Sequence, residues 1–263
     1  MNPVLFVLPG GIPIYGYGFL LAIGILTGAF GTAHTASKEG VARTRLYDFG
    51  LLSFFFGVVG GRLEYVRTHW ADKFAADPWS ALALRDGGYV FYGGFVCAVV
   101  ACVLWGRRHN VPLARVADHA APFIGIGIGF ARLGCFLVGC CYGCPTELPW
   151  GVSFPEGAIA PEGVVRHPTQ LYESFFAFSV LFGGLSLFRT RFRPFEGSII
   201  ALFGVLYGCW RIFVETLRCD GERGYVFDGW MTNGQFTSLF IIGIAVVLGI
   251  WLRQLDRQRL RTG

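Results

Sequence analysis

Seven apolar runs dominate this chain, each close to the roughly 20 residues that cross a bilayer core as a helix. They cover about residues 14–36, 49–66, 89–105, 119–140, 170–188, 197–216 and 234–252. The third is short. The fourth is rich in glycine (Gly125, Gly127, Gly129, Gly134, Gly139), which lets neighbouring helices approach closely. Backbone in hydrocarbon must satisfy its own hydrogen bonds, so runs of this length predict helices. Composition removes the alternatives. The 263 residues are 54% apolar and 15% charged, where soluble domains carry about 25% charge. Charged groups this sparse do not coat a soluble globule of that apolar content. A disordered chain, a coiled coil and a disulfide-stapled mini-protein are excluded on the same grounds. No internal repeat or linker divides the chain. The expectation is one all-α integral membrane domain over residues 1–263, with seven transmembrane helices.

The basic residues orient it. Lys38, Arg43 and Arg45 follow the first run, and Arg107, Arg108 and Arg115 follow the third. Arg189, Arg191 and Arg193 follow the fifth, and Arg253, Arg257, Arg259 and Arg261 follow the seventh. Cytoplasmic connections are the positive ones, so these four lie inside. The N-terminus is then outside and the C-terminus cytoplasmic, which requires an odd number of spans. The net charge of +5 thus reads as membrane topology rather than nucleic-acid binding. The first ten residues hold no Lys or Arg, unlike a cleaved signal peptide, so the first span is expected to be retained.

Arg132 and Arg211 have no topological task, because each is embedded in an apolar run. A charge at membrane depth costs about 2.5–3.5 kcal/mol on insertion scales and marks a site or an internal pair. The plain alternative for Arg211 is a bridge to Glu215, one helical turn on. Arg62 ends a span, where anchoring at the interface and site duty weigh evenly. Tyr15 and Tyr207, taken alone, are interfacial belt residues. Pro168 starts the fifth run, as proline commonly does at a helix start. Glu173 lies just inside that run and reads as a buried partner for one of the arginines.

Half of the eight cysteines fall within ten residues, as Cys135, Cys140, Cys141 and Cys144. Helical packing, a structural disulfide at an oxidising face, thiol chemistry through Cys141-x-x-Cys144 and metal ligation all stay open. A straight helix does not direct these four side chains to one point without unwinding. Cys97, Cys102, Cys209 and Cys219 are scattered and receive no assignment.

Several segments together resemble one family. They are Tyr15-Gly16; Gly60-Gly61-Arg62-Leu63-Glu64-Tyr65-Val66; Asp86-Gly87-Gly88-Tyr89-Val90-Phe91-Tyr92-Gly93-Gly94; and Ala131-Arg132-Leu133-Gly134-Cys135-Phe136. Arg166-His167-Pro168-Thr169-Gln170-Leu171-Tyr172-Glu173 and Tyr207-Gly208-Cys209-Trp210-Arg211-Ile212-Phe213-Val214-Glu215 complete the set. Their order and spacing are similar to those of the prolipoprotein diacylglyceryl transferases, from about residue 13 to 252. The Arg166–Glu173 segment is the most specific.

That resemblance implies an enzyme of the bacterial cytoplasmic (inner) membrane. It would move a diacylglyceryl group from phosphatidylglycerol to the lipobox cysteine thiol of a prolipoprotein, forming a thioether and releasing glycerol phosphate. The implied partners are phosphatidylglycerol, the signal-peptide lipobox and the bilayer; no cofactor, metal or nucleic acid is expected. Arg132 and Arg211 match the family's two buried arginines, and guanidinium forks suit an anionic phosphate. Tyr15, Arg62, Gln170 and Tyr207 are implied in substrate binding. His167, Glu173 and Tyr92 are the candidates for moving the thiol proton.

Two segments depart from the family pattern. Tyr92 stands where the family has a histidine proposed as base, and a tyrosine pKa near ~10 makes a poor base at neutral pH. Cys135, Val138 and Cys140 stand where the family has two asparagines and a glutamate. Competing readings are a paralogue acting on another lipid or acceptor, a thiol-redox membrane protein using Cys135–Cys144, and a lipid transporter. The missing inverted repeat lowers the last.

Overall fold

The computed structural model describes residues 4–9, 11–83, 88–220 and 224–262. The segment around Arg85, Asp86 and Gly87, and Arg223, lie outside the described residues. The chain is helical almost throughout. An antiparallel hairpin, β1 (Val4–Leu8) and β2 (Ile12–Tyr15), precedes α1 (Gly16–Ser37) and α2 (Arg43–Thr68). Then come α3 (Phe91–Arg108), α4 (Leu113–Val138), α5 (Thr169–Phe176), α6 (Leu185–Phe192) and α7 (Ser198–Glu215). A short pair, β3 (Tyr225–Val226) and β4 (Met231–Thr232), leads into α8 (Asn233–Thr262). A wide π-helical stretch, Ala177–Gly184, joins α5 to α6 into one continuous run.

Six helices among the described residues are long and apolar enough to cross a membrane: α1, α2, α4, the joined α5–α6, α7 and α8. The remaining expected span also folds as a helix, α3, but stands outside those six. It has 18 residues and ends on Arg107 and Arg108. The N-terminal hairpin is an addition, since the first apolar run was expected to begin its helix near residue 14. Proline at position 13 and the turn at Gly11 hold that segment extended instead.

The chain divides into two compact units, Ala33–Val116 and the remainder. In the smaller unit, α2 and α3 pack at a glycine seam. A Cβ on Gly60 would stand 2.6 Å from the Gly93 carbonyl oxygen. A second cluster holds Ala33, Ala36, Val41, Leu46, Val111 and Val116.

The larger unit centres on Ala121, Ala177, Leu181, Leu185 and Ile199. Its outer surface is apolar, with Phe240, Ile244, Val247 and Trp251 of α8 exposed, as expected of a face meeting lipid tails. A buried carboxylate fixes α7 against α4. Asp118 is fully buried and accepts hydrogen bonds from the backbone N–H groups of Gly197 (2.8 Å), Ile199 (2.9 Å) and Ile200 (3.1 Å). These are donors that a helix start leaves without intrahelical partners. Gly197 adopts φ 93°, which a side chain would disfavour. Asp118→Ala would strand three buried donors, so a loss of about 2–3 kcal/mol is expected. The purified protein should melt earlier in detergent, with Asp118→Asn in between. An unchanged midpoint for the alanine variant would remove this cap from the stability argument.

Candidate active site

Six charged side chains of the larger unit form a single alternating chain. Arg132 comes from α4, Glu173 from α5, and Arg211 and Glu215 from α7. Arg132 Nη2 lies 2.9 Å from Glu173 Oε2, and Arg211 Nη1 donates to Glu173 Oε1 at 3.4 Å. Arg211 Nη2 lies 2.9 Å from Glu215 Oε2. Arg218 Nη1 stands 3.8 Å from the same oxygen, and its Nε and Nη2 donate to Asp220 at 3.0 and 2.5 Å. Burial pulls the Arg218 pKa down, but the hydrogen bonds to Asp220 and the negative groups Asp220, Glu215 and Cys141 together outweigh it and raise the pKa above its usual value.

The embedded arginines are internally paired. Arg211 does bridge to Glu215, and Glu173 partners two arginines rather than one. The two glutamates are almost fully buried, while the Arg132 and Arg211 side chains keep 16% exposure. Three guanidiniums and three carboxylates cancel formally, which offsets the desolvation that an isolated ion would suffer. A guanidinium has five fixed donors. Two carboxylate oxygens do not exhaust them, so an anion approaching the accessible edge of Arg132 or Arg211 still meets preorganised N–H groups.

Local sequence explains the convergence. Pro168 precedes the first turn of α5, placing Gln170 and Glu173 one turn apart on its buried side. Ser174 Oγ donates to the Gly129 carbonyl oxygen at 3.0 Å, tying α5 to α4. Gly129 admits the Phe178 ring, which a Cβ would meet at 2.6 Å. Helices this close bring Arg132 within reach of Glu173.

The other expected residues are distributed as follows. Gln170 is fully buried, and its Nε2 donates to the Cys140 carbonyl oxygen at 2.6 Å. His167 Nδ1 lies 3.3 Å from the Tyr172 hydroxyl, which also accepts from Trp150 Nε1 at 2.8 Å. Tyr207 stacks on Phe203, with ring centroids 6.0 Å apart. Tyr15 ends β2 and is exposed. Arg62 and Tyr92 belong to the smaller unit. Arg62 is buried and donates to the carbonyl oxygens of Ala81 (2.9 Å), Ser80 (3.1 Å) and Ala83 (3.1 Å). Its guanidinium also covers the Tyr65 and Phe74 rings. It thus pins the segment after α2. Tyr92 opens α3 and is exposed.

The cysteine segment is where sequence reading stopped short. Cys144 is bonded to Cys219, 75 residues away. That pair closes the connection after α4 onto the segment after α7, where Cys144 N–H donates to the Leu217 carbonyl oxygen at 2.9 Å. Cys219 carried no signal, because nothing local marks a partner so distant. The other three cysteines converge: the sulfurs of Cys135, Cys140 and Cys141 all lie within 4.8 Å of one another. The helix does unwind to allow it. Gly139 takes φ 78° and Cys141 φ 61°. Thr169 Oγ1 donates to the Cys141 carbonyl oxygen at 2.8 Å and holds the turn. Thiol donation from Cys135 and Cys140 lowers the Cys141 pKa below its usual value and raises that of Cys140.

The sequence model of the family described as prolipoprotein diacylglyceryl transferase matches residues 3–251. A phosphatidylglycerol–prolipoprotein diacylglyceryl transferase of Clostridium tetani is 35% identical over 259 residues, covering 98% of this chain and 99% of that protein. The equally named protein of Nitratidesulfovibrio vulgaris is 36% identical over 255 residues, covering 96% and 93%. That of Francisella tularensis subsp. novicida is 33% identical over 259 residues, covering 96% and 94%.

Proposed function

This chain belongs to the prolipoprotein diacylglyceryl transferase family, and we propose that it transfers the diacylglyceryl group of phosphatidylglycerol to the cysteine thiol of a prolipoprotein. The observation that carries this reading is the arginine–glutamate chain drawn from α4, α5 and α7 in a protein related to those enzymes over nearly its whole length. Arg132 and Arg211 would hold the lipid phosphate and stabilise the glycerol phosphate as it leaves. Glu173 would fix the angle between them. Gln170 and Tyr207 would line the lipid site, with Tyr15 at its outer edge. Arg62 would serve by holding the segment after α2. His167 and Glu173 would pass the thiol proton on, and Tyr92 of the smaller unit is the separate candidate for that task. The test is transfer of labelled diacylglyceryl from phosphatidylglycerol to a lipobox peptide by the purified chain, paired with rescue of a cell depleted of its own transferase. Absence of both would reject the reading. Tyr92→Phe should slow transfer if the hydroxyl relays a proton; full activity would take Tyr92 out of the reaction.

The proposal includes one catalytic membrane domain with seven spans in the bacterial inner membrane, α3 being the third. The N-terminus is outside and the C-terminus cytoplasmic. The four basic connections support this. The disulfide between Cys144 and Cys219 agrees with it, because both flanking segments then lie on the oxidising face. In intact cells, a cysteine introduced beside Gly157 should react with an impermeant reagent, and one beside Arg191 should not. The reverse pattern would overturn the orientation.

A further inference from the structure

We propose that Cys135, Cys140 and Cys141 form a three-thiolate site for a zinc-like divalent cation, and that the thiol of the acceptor cysteine completes its coordination. The inference rests on the transferase reading and names how that reaction activates its acceptor.

Three observations carry it. First, the three sulfurs already share one locus, within 4.8 Å of one another. A tetrahedral ion with bonds of about 2.3 Å to sulfur sets its ligands roughly 3.8 Å apart, so small side-chain rotations close the site. Second, the backbone is bent to make this locus. The left-handed Cys141 is unfavourable for a residue with a side chain, and such strain collects at functional positions. Gln170 and Thr169 clamp the carbonyl oxygens of Cys140 and Cys141, the outer support that metal ligands need. Gln170 Oε1 is itself buried with no hydrogen-bond partner among the described residues. Third, Cys144 is engaged elsewhere, by Cys219. Three thiols remain, an odd number that disulfides do not use up.

Three protein ligands and one open position is the pattern of a catalytic rather than a structural zinc site. The chemistry to be done suits it. A thiol bound to such an ion loses its proton outright. That meets the need left by Tyr92, a poor base at neutral pH. The step balances without any oxidant. The acceptor S–H proton passes to water or to a nearby protein base as sulfur binds the ion. The sulfur lone pair then attacks the glyceryl CH2. The C–O bond to phosphate breaks, and its electron pair leaves with glycerol phosphate. The thioether product has no anionic sulfur and is a weaker ligand, so it vacates the fourth position. Arg132, one helical turn before Cys135, places the phosphate-binding group beside this sulfur cluster.

The experiment uses the full chain in detergent, loaded with zinc or cobalt(II). One ion per chain is expected, lost in Cys135→Ser and in Cys140→Ser. Thiolate-to-cobalt absorption should strengthen when a lipobox peptide is added, and should not change with a peptide whose cysteine is serine. Chelation should lower transfer at least 100-fold, and zinc should restore it. Because chelation acts on the wild-type chain, the result does not depend on the serine variants folding. Full transfer by metal-free protein would overturn the site while leaving the transferase intact. So would a mass a further 2 Da below that of the chain with the Cys144–Cys219 bond alone, from a disulfide within the three cysteines, or bound cobalt indifferent to the peptide. Tight metal and peptide binding with no transfer in any form would overturn the transferase reading and leave the site standing.

Discussion

Arg132→Gln and Arg211→Gln should each lower diacylglyceryl transfer by about 10²–10³-fold, the loss that follows removal of one preorganised donor to a developing anion. The expectation follows from geometry and solvation together. Both guanidiniums belong to helices long and apolar enough to cross a membrane and keep only 16% exposure, and in such low-dielectric surroundings fixed donors are worth most. Each also neutralises a buried carboxylate, so truncation acts twice. Removing Arg132 strips Glu173 of the closer of its two partners, at 2.9 Å, and leaves the 3.4 Å contact to Arg211. Breaking one partner from a buried pair destabilises by about 3–5 kcal/mol. Lysine substitution separates the two effects. Arg132→Lys keeps the charge that Glu173 requires but loses the fork that grips phosphate. It should restore folding while leaving transfer low. If the glutamine variants stay folded with near-normal turnover, both arginines belong to the scaffold alone.

The same residues show what a sequence gives away. The helical spans were legible because their signal is local: an apolar run of about 20 residues has few ways to exist in lipid. Arg132, Arg211 and Glu173 were legible because a charge inside such a run demands a reason. Their assembly into one chain reaching Asp220 was not, since it depends on which helix faces neighbour one another. Asp118 illustrates the limit. It lies at the start of an apolar run like an ordinary surface acid, yet it caps a helix about 80 residues later. Arg62 looked equally suited to lipid or interface, and it holds three carbonyl groups of its own following segment. The cysteines divide on the same principle. Their density between Cys135 and Cys144 was plain. The unwinding at Gly139 and Cys141 that gathers three of them, and the distant partner of the fourth, are properties of the folded chain.

Loss of the disulfide between Cys144 and Cys219 should lower stability on the scale of the Asp118 cap. The bond closes a loop over a sequence separation of 75 residues that contains α5, α6 and α7. The chain-entropy relation gives about 4 kcal/mol for a loop of that length. Helices that stay inserted after packing is lost already restrict the open chain, so the realised value should fall toward about 2–3 kcal/mol, since residual denatured-state structure reduces such gains. Activity should fall with stability. The bond joins the connection that carries Cys140, Cys141 and His167 to the segment after α7 that carries Arg218 and Asp220. When it opens, the hydrogen bonds from Cys144 N–H to the Leu217 carbonyl oxygen (2.9 Å) and from Cys219 N–H to the Tyr142 carbonyl oxygen (3.5 Å) remain as ties across that gap. The measurement is the thermal midpoint in detergent for wild type, for wild type with a reductant, and for the double variant Cys144→Ser/Cys219→Ser. Reductant should lower the wild-type midpoint and leave the double variant unmoved, because no other disulfide is present among the described residues. A wild-type midpoint indifferent to reductant would show that this pairing contributes nothing to the fold, and that the turn at Cys141 is held by Thr169 and Gln170 alone.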